Sequence, residues 1–218
     1  MLIADLPTVT VHRASVSEMD NRCYVITHRE TGGQVLVDAA DDAPALRVLL
    51  REAAGPAEPT PAGIITTHRH WDHVRALAEL AGELPAGGRL LAGARDAVAV
   101  AEQAGLPEGS VEGLEHGQEV ELGGITLEVV ALRGHTPGSV ALVLEDGGET
   151  HLFTGDSLFP GGVGKTQTPE DFQQLLADVT ERLFDRFDDA AHVHPGHGEP
   201  TTLGAERPQL GEWAARGW

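Results

Sequence analysis

Six consecutive residues carry a high density of side chains that bind cations. Residues 68 to 73 read His-Arg-His-Trp-Asp-His, directly after an apolar, β-branched run that predicts a strand. Zinc and iron favour imidazole and carboxylate ligands, and catalytic metal sites keep one coordination position open for water. The cluster therefore predicts a metal centre that is completed by ligands from elsewhere in the chain.

Three later segments offer those ligands beside glycines. His135 lies in Gly-His-Thr-Pro-Gly-Ser, Asp156 in Phe-Thr-Gly-Asp-Ser-Leu-Phe, and His197 in His-Pro-Gly-His-Gly. Glycine has no Cβ, so backbone and ligand can approach each other closely there. A lone histidine is best interpreted as a core residue, but this combination favours a metal centre. The predicted ligands are His68, His70, Asp72, His73, His135, Asp156 and His197.

The His-x-His-x-Asp-His motif, followed in order by the later His, Asp and His, resembles the metallo-β-lactamase superfamily over nearly the whole chain. The resemblance implies two divalent metals, with zinc favoured and iron or manganese as alternatives. It assigns His68, His70 and His135 to the first metal and Asp72, His73 and His197 to the second, with Asp156 bridging them. Two dications that share a water lower its pKa and polarise a carbonyl oxygen. Asp72 is the predicted catalytic residue, since its carboxylate can orient that water.

Branches of the superfamily differ in residues that can be checked in this sequence. True β-lactamases lack the bridging aspartate found here as Asp156, and several use a cysteine ligand. Lactonases typically place a tyrosine near the metals, whereas the only tyrosine here, Tyr24, lies in a predicted early strand. The closest resemblance is to the glyoxalase II-like group, which hydrolyses thioesters. We therefore expect a small-molecule thioester or ester substrate.

The loop after Asp156 is expected to flank that substrate. It contains Lys165, the only lysine of the chain, followed by Thr166. An ammonium there could attract a carboxylate or an anionic thiol carrier. Trp71 could form an apolar wall of the site, or its ring could pack beneath the loop. Only about twenty residues follow His197, so the resemblance implies a carrier other than glutathione, or one held differently from that in glyoxalase II.

Other functions remain open. An iron-dependent persulfide dioxygenase resembles glyoxalase II and uses one iron held by two histidines and one aspartate. A lactonase on the same fold is a further alternative. A catalytically silent binding protein is disfavoured, since a full set of open-site ligands has no obvious structural purpose.

Composition and charge bear on partners and location. The chain has 218 residues, 41% of them hydrophobic, with 15 basic against 34 acidic side chains and a formal charge of −19. That charge repels phosphate backbones and anionic lipid surfaces, so we expect neither nucleic acid nor a membrane as partner. The absence of a secretory-type start favours a cytoplasmic location. We expect one domain over residues 1–218, with 199–218 as a short tail.

The order of predicted elements suggests how the ligands are brought together. Antiparallel strands come first, then a helix over 43–54 and a strand over 63–67 that ends at the cluster. More strands follow between 119 and 154, and a long helix begins with Thr168 as N-cap and Pro169 at N1. This order predicts an α/β (α+β) chain with two sheets face to face, a four-layer αββα sandwich.

The remaining groups receive structural interpretations. Cys23 lies in an apolar run and is expected to be buried. We assign no role to four other histidines, and His194 could hydrogen-bond a metal ligand. Tryptophans 213 and 218 of the tail could pack against the domain or at a homodimer interface. The four histidines are His12, His28, His116 and His151.

Overall fold

The computed structural model describes residues 1–217 and contains two large sheets. The first has seven strands in the order β1 to β7, and the second has six in the order β15-β14-β11-β10-β9-β8. The first-sheet strands are β1 (Leu2–Asp5), β2 (Val9–Val16), β3 (Asn21–His28), β4 (Gly33–Val37), β5 (Thr60–Thr66), β6 (Arg89–Gly93) and β7 (Glu112–Leu114). The second-sheet strands are β8 (Glu119–Leu122), β9 (Ile125–Ala131), β10 (Val140–Asp146), β11 (Glu149–Gly155), β14 (His192–Pro195) and β15 (Thr201–Thr202).

Helices cover the outer faces of both sheets. A short hairpin, β12 (Leu158–Phe159) with β13 (Gly162–Val163), interrupts the loop after Asp156. The helices are α1 (Ala43–Ala54), α2 (Leu77–Ala81), α3 (Ala97–Ala104), α4 (Pro169–Val179), α5 (Leu203–Glu206) and α6 (Leu210–Arg216). None of the helices in the described part of the chain has both the length and the apolar character needed to cross a bilayer.

Three apolar clusters define four layers. The first joins the outer face of the seven-stranded sheet to α1, α2 and α3, and the second fills the space between the sheets. Alternation along β9 illustrates the arrangement, since Val129 belongs to the central cluster and its neighbour Val130 to the outer one beneath α4. The predicted αββα sandwich is therefore confirmed.

Parallel pairing in both sheets decides where the loops meet. Strands β4, β5 and β6 are parallel neighbours, and so are β11 and β14. Parallel neighbours bring their carboxyl ends to one edge of a sheet, where the following loops cluster. The residues that follow β4, β5, β6, β11 and β14 carry most of the polar groups described below.

The tail packs against the second sheet. Strand β15 pairs with β14, and Trp213 of α6 is 1% exposed within the outer cluster, with its ring centroid 6.2 Å from that of Phe184. The sequence left open whether Trp213 packs against the domain or at a homodimer interface, and in the structure it packs against the domain. Trp218 lies outside the described residues.

Burial of Trp213 yields a stability prediction. Trp213→Ala is expected to lower the free energy of unfolding by about 3–5 kcal/mol, since it leaves a large cavity beneath α6. Denaturant unfolding measures the change. Trp71→Ala is the matched control, because Trp71 is 49% exposed and its loss should cost less than about 1 kcal/mol. Equal losses in the two variants would contradict the packing described for α6.

Candidate metal centre

The seven predicted ligands converge on one place between the ends of the two sheets. The segment after β5 supplies His68, His70, Asp72 and His73, and a 3₁₀ turn over Trp71–His73 turns Asp72 and His73 inward. Asp156 and His197 follow the parallel strands β11 and β14, and His135 follows β9. Residues 129 positions apart in the chain are thereby brought together.

The donor atoms form two groups that share a carboxylate. In one group, His68 Nε2 lies 3.1 Å from His70 Nδ1, and His135 completes the set. In the other, His197 Nε2 lies 3.1 Å from His73 Nε2 and 3.3 Å from Asp72 Oδ2. These separations resemble the roughly 3.4 Å between donors that surround one zinc at bond lengths of about 2.0–2.2 Å.

Asp156 lies between the two groups. Its Oδ2 is 3.6 Å from His135 Nε2 and 3.4 Å from His197 Nε2, and its Oδ1 is 3.4 Å from His73 Nε2. This position is the one that the bridging role requires, although that role stays a prediction. Gly196 permits the approach, because a Cβ there would collide with Asp156 Oδ1 and lie 2.8 Å from His73 Cε1.

The outward-facing ring nitrogens determine the tautomers of three histidines. His135 Nδ1 donates to the carbonyl of Lys165 at 2.6 Å, His197 Nδ1 to that of Met19 at 2.8 Å, and His73 Nδ1 to Asp38 Oδ2 at 2.9 Å. A neutral imidazole with its proton on Nδ1 has a lone pair on Nε2. In their neutral forms, these three rings therefore present the lone pairs of their Nε2 atoms to the centre of the cluster.

Lone pairs that face one another need a cation between them. Nε2 of His135 and Oδ1 of Asp156 are buried and have no hydrogen-bond partner. Buried polar atoms without partners are rare and often indicate an ion or water. The donor set, its spacing and these unpartnered atoms together fit a divalent metal, which the cluster can hold in the way that the sequence predicted.

The electrostatics of the cluster agree with that fit. Burial lowers the pKa of His68 well below its usual value, and the neighbouring imidazoles of His73 and His135 lower it further. Burial acts in the same direction on His197, but hydrogen bonds to Asp156 and Asp72 outweigh it and raise its pKa to about 10. Without a metal, the space between the two carboxylates thus attracts a proton, which shows that it favours positive charge.

Polar residues that the sequence analysis missed support the ligands from behind. Asp38, 1% exposed, accepts hydrogen bonds from Thr67 N at 2.7 Å and Thr67 Oγ1 at 2.9 Å as well as from His73. Asn21 Nδ2 donates to Asp72 Oδ2 at 3.0 Å. Asp38 could have been recognised as a candidate from its position directly after β4, because β4 is the parallel neighbour of the strand that ends before His68.

Asp96 ties two of the ligand loops together. Its buried carboxylate accepts hydrogen bonds from Arg69 N at 3.1 Å and from Gly138 N at 3.0 Å. The first of these donors lies between His68 and His70, and the second three residues after His135. Asp96 therefore fixes the two loops that carry the first group of donors.

The predicted substrate-binding residues do not share one environment. Trp71 is half exposed, with the Arg75 guanidinium 4.1 Å from its ring centroid, so it does not pack beneath the loop. The Lys165 side chain is exposed, while its backbone carbonyl accepts from His135. Thr166 is buried, and its hydroxyl donates to Thr168 O at 3.3 Å. Their roles in substrate binding stay predictions.

Three other residues considered in the sequence analysis are buried. The Tyr24 hydroxyl is buried and donates to Pro195 O at 2.7 Å, so its hydrogen-bonding capacity is used within the core. His194 was considered as a partner for a metal ligand, but its Nε2 instead lies 2.9 Å from His151 Nδ1. Cys23 is fully buried, as expected.

A cavity of about 280 Å³ adjoins the first group of donors. His70 and His135 form part of its wall, together with Arg69, Arg95 and Arg133. Arg133 makes paired hydrogen bonds to Asp178 at 2.8 and 2.7 Å, whereas Arg95 has no hydrogen bond or ion pair with any residue in 1–217. Arg69 Nε lies 3.8 Å from Asp96 Oδ1, and Asp171 also lines the cavity, so Arg95 is the one guanidinium of the three without a carboxylate partner in residues 1–217.

Comparisons with known sequences give relatives over most of the chain. An uncharacterized protein of Mycobacterium tuberculosis is 32% identical over 203 residues, which cover 85% of this chain and 89% of that protein. A hydroxyacylglutathione hydrolase of Pseudomonas putida is 34% identical over 160 residues, 72% of this chain and 56% of the relative. The chain thus spans about half the length of that hydrolase.

Solved structures share the fold. A protein called TTHA1623, in a di-iron-bound form, is 31% identical with a TM-score of 0.65, over 90% of this chain and 96% of its own. ETHE1 from Myxococcus xanthus is 25% identical with a TM-score of 0.73, over 90% and 81%. The BLEG-1 B3 metallo-beta-lactamase is 25% identical with a TM-score of 0.71, over 91% and 96%.

The family assignment rests on sequence and fold together. The family model described as the metallo-beta-lactamase superfamily matches residues 18–199, which contain all seven predicted ligands. The αββα arrangement and the solved structures agree with it. The chain belongs to the metallo-beta-lactamase superfamily.

Proposed function

We propose that the chain is a metal-dependent hydrolase with two metal ions that cleaves a thioester or an ester. The observation that carries this proposal is the pair of donor groups sharing Asp156 between them. His68, His70 and His135 would hold one metal, Asp72, His73 and His197 the other, with zinc favoured and iron or manganese as alternatives. When bound, such metals supply Lewis acidity and bring the pKa of water close to neutrality.

Asp72 is the residue that we propose to orient the attacking water. Its Oδ2 already accepts from Asn21 at 3.0 Å and lies 3.3 Å from His197 Nε2. Burial opposes ionisation, but the adjacent imidazoles of His197 and His73, together with the hydrogen bond from Asn21, lower the pKa of Asp72, which keeps the carboxylate ionised. An ionised, fixed carboxylate can accept a hydrogen bond from water and hold it in a reactive orientation.

The arginine-lined cavity favours a substrate with an anionic group. Arg95 is exposed and unpaired within residues 1–217, so it is available to a carboxylate or phosphate of the acyl group or thiol carrier. The relatives named hydroxyacylglutathione hydrolases support a thioester of an anionic thiol. Lys165 and Thr166 of the loop after Asp156, and Trp71 between His70 and Asp72, remain proposed substrate contacts.

A kinetic experiment tests the substrate part of this proposal. Arg95→Ala is expected to raise KM for thioesters of carboxylated or phosphorylated thiols by about tenfold, the value of one charge-assisted hydrogen bond, with kcat changed less than about threefold. Thioesters of an uncharged thiol should be unaffected. Arg51→Ala, which removes an exposed arginine from the last turn of α1, is the matched control. Equal KM values for charged and uncharged thioesters in the parent protein would contradict the proposal.

One observation favours a second candidate function, that of an iron-dependent persulfide dioxygenase. His68, His73 and Asp156 also place one donor atom each within 4.8 Å of one another. Two imidazoles and one carboxylate are a ligand set of mononuclear iron oxygenases. Oxygen consumption by iron-loaded protein with a persulfide, in the absence of thioester hydrolysis, would select this function.

A further inference from the structure

A second group of histidines lies at the opposite end of the strands that lead to the metal centre. His151 and His192 are register partners near the start of the parallel strands β11 and β14. Asp156 lies five positions after His151, roughly 16 Å away at the rise of an extended strand. This group is therefore spatially separate from the centre described above.

Glu149 completes a set of three possible donors. Its Oε2 lies 3.7 Å from His151 Nε2 and 3.9 Å from His192 Nε2, and one donor atom from each residue lies within 4.8 Å of the other two. These distances are slightly longer than the roughly 3.4 Å expected around one bound zinc. The side chains of Glu149 and His192 are 57% and 45% exposed, so both can move inward by the small amount required.

His151 gives an independent sign of a ligand. Its side chain is 3% exposed, and its Nε2 is buried without a hydrogen-bond partner. The same atom faces Glu149 and His192 across the set. A buried ring nitrogen without a hydrogen-bond partner, directed at a carboxylate and close to a second imidazole, is an arrangement that suits a bound cation.

His194 fits as the residue that fixes the ring of His151. The two rings are parallel, with an interplanar angle of 1°, and His151 Nδ1 lies 2.9 Å from His194 Nε2. If His151 Nδ1 donates to His194, Nε2 of His151 carries a lone pair. Metal-binding histidines almost always donate their other ring N–H in this way. Burial, reinforced by His151 and His192, lowers the pKa of His194 to about 3, so this ring remains neutral and able to accept.

The orientation of His192 sets a requirement on binding. Its ring is stacked on that of His151 with centroids 4.8 Å apart and an angle of 18° between planes. Lone pairs in nearly parallel ring planes do not converge on one point, so His192 must rotate about its side-chain bonds. Its side chain makes no hydrogen bond within residues 1–217 and is 45% exposed, so rotation breaks only stacking contacts with neighbouring rings.

We propose that Glu149, His151 and His192 form a second metal site, which binds one zinc ion and leaves a coordination position open to solvent. The charges near it are those of Asp146, which favours a cation at His151, and Arg13, which opposes one at His194. The formal charge of −19 raises the local concentration of cations around the whole chain. A zinc ion there links β11 to β14 through side chains.

Zinc titration of matched variants tests the site. His192→Asn and Glu149→Gln change half-exposed side chains, so both variants should fold normally. His116→Asn, which replaces an exposed histidine elsewhere, is the control. Calorimetric titration of metal-free protein should show one zinc equivalent fewer in each of the two variants than in the parent and control proteins. Loss of a ligand should weaken that equivalent at least about 100-fold.

The comparison is independent of the proposed function, because the difference between parent and variant does not depend on how many metals the other centre holds. Histidine-ring NMR gives the second readout, in which the ring nitrogens of His151 and His192 shift on binding the additional equivalent and those of His116 do not. The same number and affinity of zinc ions in the parent and both variants would overturn the proposal, as would a matching loss in His116→Asn.

Discussion

Asp156→Asn is expected to reduce turnover by at least about 1,000-fold. The substitution keeps the shape of the side chain but replaces one carboxylate oxygen with an amide nitrogen, which cannot coordinate a metal. Because both oxygens of Asp156 face imidazole nitrogens of the cluster, at 3.4 to 3.6 Å, either orientation of the amide places its NH₂ group where a ligand is needed. Steady-state kinetics with a thioester substrate, after saturation with zinc, measures the effect.

The control for this variant is a carboxylate of similar burial outside the cluster. Glu206 is 4% exposed and accepts from Gly161 N at 2.8 Å and Thr201 Oγ1 at 2.6 Å. Glu206→Gln should lower stability while it keeps turnover within about threefold of the parent. Retention of more than a tenth of the activity by Asp156→Asn would show that Asp156 does not bridge metals.

Asp38→Asn is expected to weaken metal binding by about 10- to 100-fold, although Asp38 touches no metal. Oδ1 of Asp38 accepts from Thr67 N, and Oδ2 accepts from both Thr67 Oγ1 and His73 Nδ1. An amide nitrogen in place of Oδ2 would face these two donors, so His73 would favour the tautomer with its proton on Nε2. That proton occupies the lone pair that faces Asp156 and His197.

Competition titration with a chromophoric chelator gives the affinity for each metal. Asparagine suits the left-handed backbone of Asp38, whose φ is +60°, so the fold should survive the change. Asp41→Asn is the control in the same loop, because that carboxylate pairs with Arg75 at 2.7 Å rather than with a histidine. If both variants bound zinc as tightly as the parent, Asp38 would have only a structural role.

Much of the fold was accessible to sequence analysis because its elements are long and clearly delimited. Helix α1 has the predicted bounds, and Thr168 caps α4 by accepting from Asp171 N at 3.1 Å, with Pro169 in its first turn. Leu175, Val179 and Leu183 repeat at helical spacing and are all buried, although the chain passes into a π-helical segment at Thr180–Phe184. Hydrophobic spacing fixed the buried face without revealing that change of helix type.

Several of the elements that sequence analysis missed are short strands at sheet edges. Strand β1 (Leu2–Asp5) and strand β7 (Glu112–Leu114) are the two edges of the first sheet, and β15 (Thr201–Thr202) is an edge of the second. A strand of two to four residues offers too few positions for alternation to be distinguished from chance. Their pairing depends on neighbours that are far away in sequence.

Sequence analysis identified the candidate metal ligands from their motifs, but it missed the polar residues around them. The six-residue cluster and the three glycine-flanked segments led to all seven donors, since each lies in a short local pattern. Asp38, Asp96 and Arg95 lie in no motif, and they reach the centre only because β4, β5 and β6 are parallel neighbours. The role proposed for His151 depends on its register with His192, which no local pattern indicates.

The most direct test of the central claim is to add metal back to metal-free protein and to measure thioester hydrolysis and bound metal in the same samples. The proposed function predicts that turnover of a thioester rises with added zinc until about two equivalents are bound at the centre, with no consumption of oxygen. Glu149→Gln protein is the form to use, so that the site proposed at His151 and His192 does not add to the count. Activity that is complete with one iron per chain and depends on oxygen would contradict the account.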